Sequence, residues 1–247
     1  MRYLTLLLLA TSAVFAADSG PYALVILHAS GKAGVPISVN VNFTEVGRAL
    51  ATPAFVEPAK LVVAEEQLGG KLTPILAQFD PAPDFDARRH AAGVLSLVLP
   101  PGPAGERRVR VYFTGLSPKL EAPSAPAQLK ITQDQGRITV GNECYSFTHD
   151  PAKLGGLPSR IEWPATGKVF DTFSLNDRVH NPIGNGYLLN ADKTPEVRLL
   201  VNGPVRAVVQ VRARYMRGEE QPKTKPVAVY QFVYYVGSPM VRVTAHV

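Results

Sequence analysis

Apolar and polar positions alternate over much of the chain. In "VPISVNVNF", Val35, Ile37, Val39 and Val41 fall on one side, with Ser38, Asn40 and Asn42 on the other. That period of two marks a half-buried strand. The runs "YALVILHAS", "AKLVVAEE", "KLTPILAQFD", "GVLSLVLP" and "RRVRVYFTG" are equally β-rich. They are separated by turn signals at Gly31, Gly34, Gly69–Gly70 and "PGPAGE". Residues 20–116 are therefore expected to form a small N-terminal all-β barrel or sandwich.

The stretch "LSPKLEAPSAPAQ" is poor in large hydrophobes and predicts a linker over 117–128. Strand patterning resumes over 129–247. Two strands flank a Gln135–Gly136 turn, and "HDPAKLGGLPSRIEW" turns a sheet through Asp150–Pro151 and Gly155–Gly156. Polar residues then gather in "FSLNDRVHNPIGNGYLLNAD". In the next strand Val205, Ala207, Val209, Val211, Ala213 and Tyr215 alternate with Arg206, Val208, Gln210, Arg212 and Arg214. An aromatic strand, "VAVYQFVYYVG", follows. In "PMVRVTAHV" Val241, Val243, Ala245 and Val247 alternate with Arg242, Thr244 and His246. Short turns between these strands suit an antiparallel meander. The alternation runs to Val247 with no closing turn, so the second unit is expected to be an antiparallel β-sandwich truncated at its C-terminus. No helical periodicity of useful length and no internal repeat is visible. The 22 prolines and 20 glycines, lying between apolar runs, reinforce the all-β expectation.

The N-terminus changes the picture of compartment. Met1-Arg2, the apolar "YLTLLLLATSAVF" and the small residues at Ala16–Ala17 have the form of a secretory signal peptide over 1–16. The apolar run is shorter than a spanning helix requires. The mature chain is thus expected to be secreted or periplasmic, without a membrane span. Cys144 is the only cysteine, which rules out an intramolecular disulfide and predicts a thiol buried as a small hydrophobe. The formal charge is +6, yet no Lys/Arg block is present, which argues against nucleic acid. A modestly basic exported protein suits an acidic glycan.

In order and character, "ILAQFDPAPDFD", "GVLSLVLP" and "RVRVYF", then "NECYSFTHDPAKLGGLPSRI" and "GPVRAVVQVRARY" with "YQFVYYVGSPMVRVTAHV", resemble exo-rhamnogalacturonan lyase-like proteins. The resemblance covers roughly the whole mature chain and takes in an N-terminal β-barrel and a central galactose-mutarotase-like β-sandwich. It implies polysaccharide lyase chemistry. In such lyases the β-domains precede an α/α-toroid, for which this sequence has no amphipathic helices. Turnover is then expected to depend on that further domain, since fold alone does not establish chemistry.

Residue by residue, the polar face carrying Arg206, Arg212 and Arg214, extended by Arg242 and His246, suits carboxylates, because guanidinium forks bind them bidentately. The competing expectation is an ordinary solvated sheet face, its arginines paired with glutamates such as Glu219. In the loop, Asn176 and Asp177 would contact sugar. A lyase also needs a base, His180 or Tyr187, and a neutraliser of the uronate carboxylate, Arg178. Asn and Asp equally dominate plain turns. His149 and Asp150 read as structural, since neighbours in a strand face opposite ways. Trp163 and Tyr187 would stack on sugar, although a lone strand tryptophan is more often core. No cofactor is expected, beyond a surface calcium ion at Asp80, Asp84 and Asp86, whose spacing is not that of an EF-hand. A non-catalytic carbohydrate-binding or adhesion module, and a mutarotase-like isomerase needing a paired His and acid, remain alternatives.

Overall fold

The structure, a computed structural model, describes residues 7–9, 20, 22–29, 36–52, 55–121, 123, 129–172, 177–180 and 186–247. The chain is all-β apart from one short α-helix and three 3-10 turns among the described residues. It divides into two compact units, Met1–Ala125 and Pro126–Val247. The division falls inside the expected linker, of which residues 122 and 124–128 lie outside the described residues.

The first unit comprises β1 (Leu7–Leu9), β2 (Tyr22–Ala29), β3 (Pro36–Asn42), α1 (Phe43–Ala49), β4 (Val62–Glu66), β5 (Leu72–Pro74), β6 (Ala77–Pro81), β7 (Ala92–Val98) and β8 (Gly105–Tyr112). They form a five-stranded sheet, β1-β2-β8-β4-β5, and a three-stranded sheet, β3-β7-β6. Of the expected signal segment only 7–9 are described, as an edge strand beside β2. One core holds residues of both sheets, including Val25, Leu27, Val39, Leu95, Val109 and Val111.

Two sequence expectations need correction here. "KLTPILAQFD" is two strands, because the chain changes sheets between β5 and β6, with the Ile75 N–H donating to the Val63 carbonyl at 2.9 Å. A helix also exists at Phe43–Ala49, where none was visible. Asn42 caps it by accepting the Thr44 N–H at 3.1 Å and the Glu45 N–H at 3.4 Å. Fully buried Phe43 anchors it, stacked on Phe113 at 5.0 Å. Seven residues are too few to display a helical period.

The second unit comprises β9 (Lys130–Asp134), β10 (Arg137–Gly141), β11 (Ser146–His149), β12 (Pro158–Trp163), β13 (Lys168–Phe170), β14 (Arg178–His180), β15 (Gly186–Leu188), β16 (Glu196–Asn202), β17 (Arg206–Arg214), β18 (Val227–Tyr235) and β19 (Val241–His246). The sheet β13-β12-β11-β10-β9 and the sheet β16-β17-β18-β19 share a core that includes Ile138, Val140, Leu157, Val209, Val211, Phe232 and Tyr234. That is a β-sandwich. The polar segment near 180, expected to be loop, contains the β14–β15 hairpin.

The stretch from His149 onward packs as structure. Asp150 opens a turn by accepting the Ala152 N–H at 3.0 Å, and Gly155 and Gly156 take φ of 63° and 79°. A Cβ on Gly156 would lie 2.6 Å from Val197 Cγ2, so glycine is required both for dihedral and for space. Cys144, expected to be buried, is only half-buried, because it lies in the turn between β10 and β11. Burial pushes its thiol pKa up. The core expectation for Trp163 is also corrected, since its side chain is exposed at the end of β12.

Candidate functional site

The face of β17 opposite the core is built by register. Arg198 lies across from Gln210, Gln210 from Gln231, and Gln231 from Thr244. This polar row crosses four strands on one side of the sheet. A second row runs Glu196, Arg212, Val229, His246, and a third runs Val201, Val208, Val233, Arg242. Arg212, Arg242 and His246 are therefore on the same face and all are exposed. Strand spacing and rise place the Cα atoms of Arg212 and Arg242 roughly 16 Å apart. One carboxylate cannot reach both, whereas a chain bearing several can.

The structure separates the other two arginines of that strand from this role. Arg206 is buried opposite Tyr235. Arg214 is held by Asp192, through Nη2 at 2.9 Å and Nε at 3.3 Å, and the Arg214 backbone N–H donates to the same carboxylate at 2.8 Å. Burial acts to raise the Asp192 pKa but is outweighed by the hydrogen bonds from Arg214 and the Thr194 N–H, so the carboxyl titrates below its ordinary value. Arg198 pairs with Glu196 beside it. Among the described residues Glu219 makes no ion pair, while Arg214 pairs with Asp192 and Arg198 with Glu196. Arg212 and Arg242 make no ion pair among the described residues.

The proposed catalytic trio does not converge. On β14, Arg178 and His180 alternate with Val179, which lies across from Tyr187 on the core side. Arg178 and His180 are exposed on the reverse side. Tyr187 is buried, donates its hydroxyl to Glu220 at 3.2 Å, and carries the Arg217 guanidinium 5.2 Å from its ring centroid. Arg217 also pairs with Glu220 and holds that carboxyl below its usual range.

Asp177 is engaged inside the fold. It accepts the Tyr230 hydroxyl at 2.7 Å and the Tyr215 hydroxyl at 3.1 Å. Burial first, then the neighbouring carboxylate, pushes the Tyr215 phenol up to about 12 and raises that of Tyr230 as well. Asn176 lies outside the described residues.

His149, the candidate for a His–acid unit, is fully buried with Tyr234. Asp150 instead meets Arg137 at 3.2 Å. The three aspartates considered for calcium have separate partners. Asp80 accepts from Gln78 at 2.6 Å, Asp84 meets His90 at 3.3 Å, and Asp86 accepts the Arg88 and Arg89 N–H groups at 2.9 and 2.8 Å. Among the described residues no three His, Cys, Asp or Glu side chains are grouped to hold a metal ion. No helix among them is long and apolar enough to cross a membrane.

Alternation already placed Gln210 on this polar face, whereas Gln231 and Thr244 were not among the candidate site residues. Their signal is a polar side chain at mid-strand, and only the register shows that the three line up.

No protein-family model matches the chain, and no curated protein matches it. Among the solved structures that resemble it are two from Enterococcus faecalis. One is a protein in glycosyl hydrolase family 38 from Enterococcus faecalis, with a TM-score of 0.52 and 14% identity, covering 91% of this chain and 31% of that one. The other is an alpha-mannosidase from Enterococcus faecalis V583, with a TM-score of 0.53 and 13% identity, covering 91% of this chain and 29% of that one. The likeness is one of fold. The chain spans less than a third of the length of either structure.

Proposed function

We propose that this chain is the exported β-domain portion of a polysaccharide-active protein, secreted or periplasmic, which binds or positions an acidic glycan. The observation that carries the reading is the four-strand row of Arg198, Gln210, Gln231 and Thr244, flanked by Arg212 and Arg242. Amide and hydroxyl side chains suit sugar hydroxyls, and free guanidiniums suit uronate carboxylates. The spacing of the two arginines favours an oligosaccharide or polymer over a monosaccharide.

Turnover of the lyase type would depend on a further domain, because Tyr187 is turned away from Arg178 and His180. The alpha-mannosidase likeness supports a second reading, in which the chain serves a glycoside hydrolase in the same accessory manner.

Affinity electrophoresis in gels containing polygalacturonate or neutral galactan tests the binding claim. Retardation confined to the acidic gel supports it, and equal mobility in both refutes it. Absorbance near 235 nm during incubation with rhamnogalacturonan, where the unsaturated uronate left by proton abstraction absorbs at about that wavelength, separates lyase turnover from binding alone.

A further inference from the structure

The core-facing side of the five-stranded sheet continues past the part that its partner covers. Across β10, β11, β12 and β13, Val140 lies opposite Phe147, Phe147 opposite Ile161, and Ile161 opposite Phe170. Burial falls along this row, from Val140 at 0% exposed to Phe170 at 52%. Trp163, on the same side, is 37% exposed. It meets Phe170 edge to face, with centroids 5.1 Å apart and planes at 76°. The contact fixes the indole without hiding it.

Lys168 lies directly across from Trp163 and so shares its side of the sheet. It is exposed and makes no ion pair among the described residues. The nearby carboxylates are taken up elsewhere, since Arg160 holds Glu162 at 2.5 Å and Asp171 at 3.2 Å. The aromatic side of this edge therefore offers an apolar ring face beside an unpaired cation.

From this arrangement we infer a second sugar-contact site, in which Trp163 and Phe170 receive the C–H face of a uronate ring and Lys168 receives its carboxylate. The electron-rich face of an aromatic ring attracts polarised C–H groups, and the ammonium supplies the charge that an acidic sugar requires. The inference rests on the acidic-glycan reading, but its residues belong to the other sheet of the sandwich. A neutral apolar partner would leave Lys168 without a role.

Trp163 is the only tryptophan in the chain, so its emission reports on this site alone. The test titrates a short oligogalacturonide and follows tryptophan fluorescence and calorimetric heat in parallel. The expected result is a saturable emission change that persists in Arg212→Ala/Arg242→Ala and weakens by about tenfold or more in Lys168→Gln and in Phe170→Ala. Heat of binding without any emission change overturns the second site and leaves the basic face standing. An emission change lost only on Arg212→Ala/Arg242→Ala overturns it too, as does one produced by raising protein concentration without sugar, which would mark self-association at this edge. If neither signal appears, both readings fall.

Discussion

His149 Nε2 and the Tyr234 hydroxyl oxygen lie 2.6 Å apart, with both side chains fully shielded from water. The other ring nitrogen, Nδ1, lies 3.1 Å from the Gly156 carbonyl, which can only accept. Nδ1 therefore carries the proton, and Nε2 accepts from the tyrosine. This neutral imidazole ties β11 and the Gly155–Gly156 turn to β18.

Burial lowers the His149 pKa to about 4, from the ordinary 6.5. Between those values only the unfolded chain takes up the proton, so stability rises with pH across the window. The contribution is complete above about pH 6.5, is lost as pH falls towards 4, and corresponds to about 3 kcal/mol. Denaturant titrations of wild type and His149→Gln at intervals from neutrality to pH 4 are expected to converge as the pH falls. Parallel curves would show that His149 is not the group responsible. Tyr234→Phe removes the donor to Nε2 and should cost about 1–3 kcal/mol at neutral pH.

Gly156→Ala places a methyl group 2.6 Å from Val197 Cγ2 at a φ of 79°. Strain and overpacking together should cost about 3 kcal/mol. Gly167 also has positive φ but faces open space, so Gly167→Ala should cost only about 1 kcal/mol. Thermal melts of the two variants check the difference.

The side chains of Glu65 and Arg107 form a buried bidentate pair on the core-facing side of β4 and β8, and Arg107 Nη1 also donates to the Pro100 carbonyl at 2.8 Å. Glu65→Ala strands a buried guanidinium and should cost about 3–5 kcal/mol. Glu65→Leu combined with Arg107→Met should recover most of that loss in equilibrium unfolding, because the desolvation cost of both charges disappears.

Arg212 and Arg214 share a strand face yet are expected to respond differently. Arg214→Ala leaves the buried Asp192 carboxylate short of its donors and should lower stability by about 1–3 kcal/mol. Arg212→Ala should leave the melting temperature unchanged and weaken binding of acidic glycan. Differential scanning calorimetry beside a binding titration separates the two effects.

The strands of the basic face were legible because alternation is local: Val209, Val211 and Ala213 point inward, so Arg212 points outward. Which arginine stays free was not legible. Asp192 is distant in sequence from Arg214, and Arg206 is buried opposite Tyr235 by strand pairing. Trp163 was misread for a similar reason. Its strand alternates as a core strand does, but the width of the opposing sheet determines whether that side is covered. The helix at Phe43–Ala49 left only its Asn42 cap as a signal. Tyr187 and His180, close in sequence, were separated by the β14–β15 hairpin register, which assigns them to opposite sides.

The central claim is that Arg212 and Arg242 read the charge of a glycan. The most direct measurement is calorimetric titration of polygalacturonate into wild-type protein and the Arg212→Ala/Arg242→Ala variant, with neutral galactan as control. Salt-sensitive binding of the acidic polymer is expected, weakened by about tenfold or more in the variant, with no binding of the neutral one. Equal affinity of the two proteins for polygalacturonate would contradict it.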